Sequence, residues 1–233
     1  MSETKRTVLL CGATGLVGRE CLRQLLADPD VGRVHSVLRR ELRLHRGAPE
    51  GREQAELPAD DDPRVTQQVV DFDRLAEQAG LAAFDQIVCA LGTTMKKAGS
   101  KEAFRRVDHD YPLELAKLGV AHGARHYLLV SSIGADPGAR SFYLRVKGEL
   151  ERAVLALPYR SVSILRPSLL VGERAERRRG EELAARFGFL FPGKYKPIAA
   201  AHVAAGIVRL AREDAPGHRI VESAELRSWA RGQ

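Results

Sequence analysis

The chain has 233 residues, 44% of them hydrophobic, 29% charged, with a formal net charge of +7. That apolar share is enough to fill a core and excludes a disordered chain. The basic excess is scattered: the densest patch, Arg174, Arg177, Arg178 and Arg179, is interleaved with Glu173, Glu176, Glu181 and Glu182, which reads as a solvated face and argues against nucleic-acid binding.

Val8 to Cys11 is a short apolar run that ends at glycine and predicts a first strand. Leu16 to Ala27 follows with helical spacing, so that Leu16, Val17, Leu22, Leu25 and Leu26 share one broad face. Further strands are predicted over Val34–Leu38, Val65–Val70, Ile87–Leu91, Tyr127–Val130 and Val162–Leu165. Helical patterns cover about Lys101–His122, Phe142–Ala156 and Ala199–Arg212. Such alternation implies βαβ units and an α/β fold, a doubly wound parallel sheet with right-handed crossovers and helices on both faces. The segment 41–63, with Gly47, Pro49, Gly51, Pro58 and Asp60-Asp61-Asp62, reads as a surface excursion between the second and third strands.

Cys11, Cys21 and Cys89 form no C-x-x-C pair and are odd in number, which argues against both a disulfide framework and a zinc site. They read as buried reduced thiols. The seven histidines show no metal-binding spacing, and His109 between Asp108 and Asp110 reads as a surface or helix-capping residue. No apolar stretch reaches the ~18 residues of a membrane span. The apolar start after Lys5-Arg6 is broken by glycines and by Arg19-Glu20, so a signal peptide is not expected. Together these features predict a cytoplasmic protein.

Gly12-Ala13-Thr14-Gly15-Leu16-Val17-Gly18 lies between a strand and a helix. Glycines there allow a tight turn and close approach of backbone to a pyrophosphate, which the free amides of the helix start can bind. This loop predicts a dinucleotide site. At the end of the second strand, where an acidic residue would select NAD, the chain carries Arg39 and Arg40. A guanidinium can hold the 2′-phosphate of NADP(H), worth about 1.5–3 kcal/mol. Asp71 and Phe72 at the third strand's end suit the adenine, and Leu91-Gly92-Thr93 suits the ribose and nicotinamide side.

Tyr143 and Lys147 stand four residues apart on a predicted helix and so share a face. A phenol titrates near 10, and a neighbouring ammonium favours its ionised form. Tyr143 is therefore a candidate proton donor to a carbonyl oxygen, and Lys147 a candidate holder of ribose hydroxyls. Ser131 or Ser132, after the fifth strand, is a candidate donor to the developing oxyanion.

The order of these motifs resembles the short-chain dehydrogenase/reductase superfamily, through the glycine loop, Asp71, Leu91-Gly92-Thr93, Ser131-Ser132, Tyr143-x-x-x-Lys147 and Ile164-Leu165-Arg166-Pro167. Cys89 to Thr94, Val107 to Tyr111 and Val146 to Glu149 look like its atypical Tat-interacting-protein branch, related to NmrA-like proteins. The resemblance implies a Rossmann fold over 1–233, with about 167–233 on the substrate side. It implies NADP(H) held by residues 12–18, Arg39, Arg40, Asp71, Phe72, Leu91, Gly92, Thr93, Ser131, Tyr143, Lys147, Arg166 and Pro167. It also implies catalytic roles for Ser132, Tyr143 and Lys147. Asp108 stands where many catalytic members carry an asparagine that positions the lysine through water, and the spacing from Ser132 to Tyr143 is short.

Two functions follow. One is an NADP(H)-dependent oxidoreductase that reduces a small-molecule carbonyl substrate. The other is a non-catalytic NADP(H)-binding redox sensor acting on a regulated protein partner. Arg186 to Pro192 is an aromatic stretch suited to a pocket or a core, and Trp229 is expected to pack against the domain or a partner.

Overall fold

The computed structural model describes residues 5–39, 62–78, 81, 84–171 and 193–231. Seven parallel strands form the central sheet: β1 (Arg6–Cys11), β2 (Val31–Leu38), β3 (Val65–Val69), β4 (Gln86–Cys89), β5 (His126–Val130), β6 (Ser161–Arg166) and, in sequence the last, a strand over Gly217–Glu222. Between β6 and that last strand, Leu170–Val171 (β7) and Ile198–Ala199 (β8) pair as a separate two-stranded ribbon, which makes the last strand β9. The sheet order is β3-β2-β1-β4-β5-β6-β9. The order in which strands are added therefore reverses between β1 and β4, and the crevice at their carboxyl ends is where an open α/β sheet receives a ligand. The doubly wound fold expected from the sequence is the fold observed.

Alternation along each strand splits the core in two. Val8 and Leu10 of β1 face one side with Val88, Leu128 and Leu165. There they meet α1 (Leu16–Ala27) and α6 (Ala200–Glu213). Leu9 and Cys11 face the other side with Ile87, Tyr127 and Ile164. There they meet α4 (Tyr111–Ala121) and α5 (Phe142–Leu155), with Leu115, Leu150 and Val154 fully buried. Each such side chain contributes about 1.5–3 kcal/mol.

Two expectations change in detail. The helix over 101–122 is a composite: α2 (Met95–Ala98) precedes α3 (Lys101–Arg105), then a π-helical turn (Arg106–Asp110) leads into α4. The strand β9 and the closing helix α7 (Ser223–Arg231) add to the six strands and four helices read from the sequence. Trp229 packs on the α1–α6 side of the core, its ring between the guanidinium groups of Arg209 at 4.5 Å and Arg219 at 5.1 Å. The Arg174–Arg179 patch, the aromatic stretch 186–192 and most of the 41–63 segment lie outside the described residues.

Candidate active site

The site begins where β1 stops. Gly12 adopts φ +89, and a side chain on it would lie 2.5 Å from the Ala90 carbonyl oxygen of the adjoining strand end. A side chain on Gly18 would lie 2.0 Å from the Gly12 carbonyl oxygen, so only glycine lets α1 start against this loop. Gly15 N–H donates to Gly12 O at 2.9 Å and closes the turn. No side chain caps α1 at Gly15, and its first turn carries no acidic residue. The first-turn amides and the positive helix end thus meet an anion without competition. Ala13 and Val17 are buried and anchor the loop from below, Leu16 packs at the core's edge, and Thr14 is exposed.

A cavity of about 400 Å³ opens over this loop, lined by Gly12, Thr14, Gly15, Val37, Leu38, Arg39, Phe72, Ala90, Leu91 and Gly92. Its size is that of a small-ligand cleft. Arg39 is exposed at its edge, and Arg40 lies outside the described residues. Asp71 is exposed and accepts from Asp73 N–H at 3.0 Å, capping a short 3-10 turn. Phe72 is buried, its ring 5.3 Å from that of Tyr111. This glycine cradle, with uncapped amides and a cation at the rim, fits a dinucleotide.

The far wall connects the cavity to the Tyr–Lys helix. Thr93 N–H donates to Asp108 Oδ2 at 2.8 Å, and Lys147 Nζ stands 2.8 Å from Asp108 Oδ1. Lys147 is 3% exposed and Asp108 1% exposed, so the pair is buried. A side chain on Gly92 would meet Asp108 Oδ1 at 3.5 Å and Lys147 Nζ at 4.0 Å. Burial pushes the Lys147 ammonium down, but Asp108, Tyr143 and Cys89 outweigh it, and the net direction is up. Tyr143 is half-buried one turn before Lys147, its ring 5.5 Å from that of Phe104.

The two serines part company. Ser131 is buried, and its Oγ donates to Glu151 Oε1 at 2.5 Å. Glu151 also accepts from Arg166 Nη2 at 2.5 Å, and Arg166 Nη1 donates to Glu222 at 3.1 Å. These hydrogen bonds push the Arg166 guanidinium pKa up despite its burial. Ser131 and Arg166, read from the sequence as cofactor-binding, thus belong to a polar chain joining the ends of β5, β6 and β9 to α5. The Pro167 carbonyl accepts from Ile133 N–H at 2.9 Å and holds the loop after β5. Ser132 is half-buried, its Oγ making only a long 3.4 Å contact with the Ile133 carbonyl.

The family resemblance set Asp108 beside the lysine through water, and the structure pairs the two directly at 2.8 Å; Glu151 was passed over. Glu151 follows Lys147 by four residues on α5, and that spacing alone places both on the buried face. His109 Nδ1 lies 2.8 Å from Asp110 Oδ1 at the surface of the π-helical turn. Among the described residues no group of three metal-ligating side chains gathers.

A parallel sheet with this strand order and a glycine loop at the switch point define a Rossmann-type fold. Protein HTATIP2 of Rattus norvegicus is 38% identical over 183 residues, covering 78% of this chain and 70% of the relative. Protein FMP52 of Eremothecium gossypii, named mitochondrial, is 32% identical over 229 residues, covering 94% and 95%. The chain belongs to this HTATIP2/FMP52 family. No family model matches it. Its fold is shared with DesIV, a dTDP-glucose 4,6-dehydratase from Streptomyces venezuelae solved with NAD bound, at TM-score 0.70 and 18% identity over 92% of this chain and 75% of that one. It is shared equally with MoeE5 in complex with UDP-glucose and NAD, at TM-score 0.67 and 18% identity over 95% and 80%.

The relatives correct one expectation. FMP52 proteins of Emericella nidulans, Candida glabrata and Saccharomyces cerevisiae are named mitochondrial, which overturns the expectation of a cytoplasmic protein. The physical basis of the earlier reading was too general. Three buried free thiols suit any reducing compartment, and so does the fact that no described helix is long and apolar enough to cross a membrane.

Proposed function

We propose that the chain is an NADP(H)-dependent reductase that delivers hydride to a small carbonyl compound, with Tyr143 as the proton donor. One observation carries this reading. Gly92 lines the nucleotide cavity on one side, and on the other its missing side chain would stand 4.0 Å from Lys147 Nζ. The nucleotide site and the Tyr–Lys pair therefore share a wall.

The bound dinucleotide supplies hydride, and this chain's residues do the rest. The amides of the first turn of α1 hold the diphosphate. Arg39, with Arg40 beside it in sequence, holds the adenosine 2′-phosphate, and Asp71 takes the adenine amino group. Lys147 faces the ribose hydroxyls. The Tyr143 hydroxyl gives its proton to the carbonyl oxygen, and Ser132 Oγ donates a hydrogen bond to the same oxygen. The FMP52 names support a mitochondrial setting for this activity.

A second reading is a cofactor-dependent regulator that meets a protein partner. It draws support from Lys147 being already engaged by Asp108 at 2.8 Å. Single-turnover oxidation of NADPH against a panel of aldehydes and ketones separates the two. The reductase reading expects NADPH consumption with at least one carbonyl, slowed by about a hundredfold or more in Tyr143→Phe. Binding of NADPH with no turnover on any carbonyl supports the regulator.

A further inference from the structure

The Lys147–Asp108 pair carries a consequence for the direction of the chemistry. Lys147 is held by Asp108, which reaches it from the π-helical turn at 2.8 Å; Tyr143 stands one turn back on α5, and Cys89 is buried at the end of β4. Burial pushes the Cys89 thiol up, which keeps it neutral. On the outer side of α5, Glu149 is paired with Arg105 at 2.5 Å and adds no net charge. The buried site therefore contains one formal cation, one formal anion and a neutral phenol.

A count of charge shows what Asp108 does. With Asp108 ionised and Lys147 protonated, the site is neutral, and loss of a proton from the Tyr143–Lys147 pair leaves a net negative charge in a buried place. With a neutral residue at 108, the same loss takes the site from positive to neutral. Uncompensated charge away from water is the costlier end state in either case. The aspartate thus raises the affinity of the pair for its proton. Its second oxygen is fixed by Thr93 N–H at 2.8 Å, and the π-helical turn, a rare local form found often at functional sites, holds it in place.

We infer that Asp108 is a positioning residue that keeps the Tyr143–Lys147 pair in its fully protonated form and so commits the site to giving a proton, as carbonyl reduction requires. The reverse reaction, oxidation of an alcohol, needs the phenolate to accept the hydroxyl proton as hydride leaves for the oxidised nicotinamide. Asp108 disfavours that form at neutral pH. This inference rests on the reductase reading for its meaning, but its test does not.

The test follows the phenol by NMR in the whole chain labelled with carbon-13 at tyrosine Cζ, without substrate or cofactor. Tyr143→Phe identifies the Tyr143 signal among the five tyrosines. Asp108→Asn is expected to move the Tyr143 titration to lower pH by about one unit, and Asp108→Glu, which keeps the anion, to move it back. An unmoved titration in folded Asp108→Asn overturns the inference. Should that variant not fold, the unsubstituted protein decides: a Tyr143 midpoint at or above the ordinary phenol value of about 10, despite the Lys147 ammonium on the same helix face, supports the inference, and a midpoint well below it overturns it. Failure of turnover assays refutes the reductase reading alone, because the titration is read independently of turnover.

Discussion

Glu151 on α5 accepts a hydrogen bond from Ser131 Oγ at 2.5 Å, and this ties the first serine of the pair into the scaffold, whereas the second, Ser132, makes only a 3.4 Å contact with the Ile133 carbonyl. The same carboxylate holds Arg166, which reaches on to Glu222. Glu151→Ala leaves a buried hydroxyl and a guanidinium short of their acceptor. It is expected to lower the unfolding free energy by about 2–3 kcal/mol in urea titration. Ser132→Ala is expected to change stability by less than about 0.5 kcal/mol and to slow NADPH-dependent turnover about a hundredfold. A reversed pattern would exchange the roles given to these residues.

Gly18 sets how closely α1 approaches the phosphate loop. An added methyl group would lie 2.0 Å from a backbone oxygen, which no side-chain rotation relieves. Gly18→Ala is expected to cost about 1–3 kcal/mol of stability. It should also weaken NADPH binding at least about tenfold. A variant that binds as tightly as the unsubstituted chain would move the diphosphate away from this loop.

Arg39 stands exposed at the cavity rim and is the residue proposed to hold the 2′-phosphate. Arg39→Ala is expected to weaken NADPH by about 1.5 kcal/mol or more, the value of a charge-assisted hydrogen bond, and to leave NADH affinity unchanged. Parallel calorimetric titrations read both. Equal losses for the two cofactors would remove Arg39 from cofactor selection.

His126 gives the fold a pH dependence far from the cavity. It is buried at the start of β5, with Nε2 2.9 Å from Ser163 Oγ. Its Nδ1 lies 3.1 Å from Asp214 Oδ1, out of line for a hydrogen bond. Burial pushes its pKa from 6.5 down to about 4, against the upward pull of Asp214. The unfolded chain takes up this proton near pH 6.5 and the folded chain only near 4. Its contribution is therefore present at neutral pH and is lost as pH falls through that window. The loss is about 3 kcal/mol. Urea denaturation at pH 7 and at about pH 4.5 should show a smaller acid loss in His126→Gln than in the unsubstituted chain. Equal losses would place the pH dependence elsewhere.

The sequence was most legible where a local pattern decides structure. Val8 to Cys11 followed by the glycine loop and an apolar helix face reads as strand, turn and helix, and Leu16–Ala27 is helical as read. The last strand was missed because β9 lies at the sheet edge. His218 and Glu222 face water there and Arg219 stacks on Trp229, so the apolar run shrinks to Ile220 and Val221. The π-helical turn carries no pattern distinct from its flanking helices, so 101–122 read as one helix. The Asp108–Lys147 pair depends on that turn. Its two members sit on different elements, and only the packing of α5 against the turn brings them within 2.8 Å. Tyr143 and Lys147 were legible because a helix places residues four apart on one face.

Titration calorimetry of the purified chain with NADPH tests the central claim most directly. The account predicts saturable binding of about one NADPH per chain at the single glycine loop, tighter than NADH and weakened in Gly18→Ala. Absence of binding to NADPH, NADP+, NADH and NAD+ alike would contradict it.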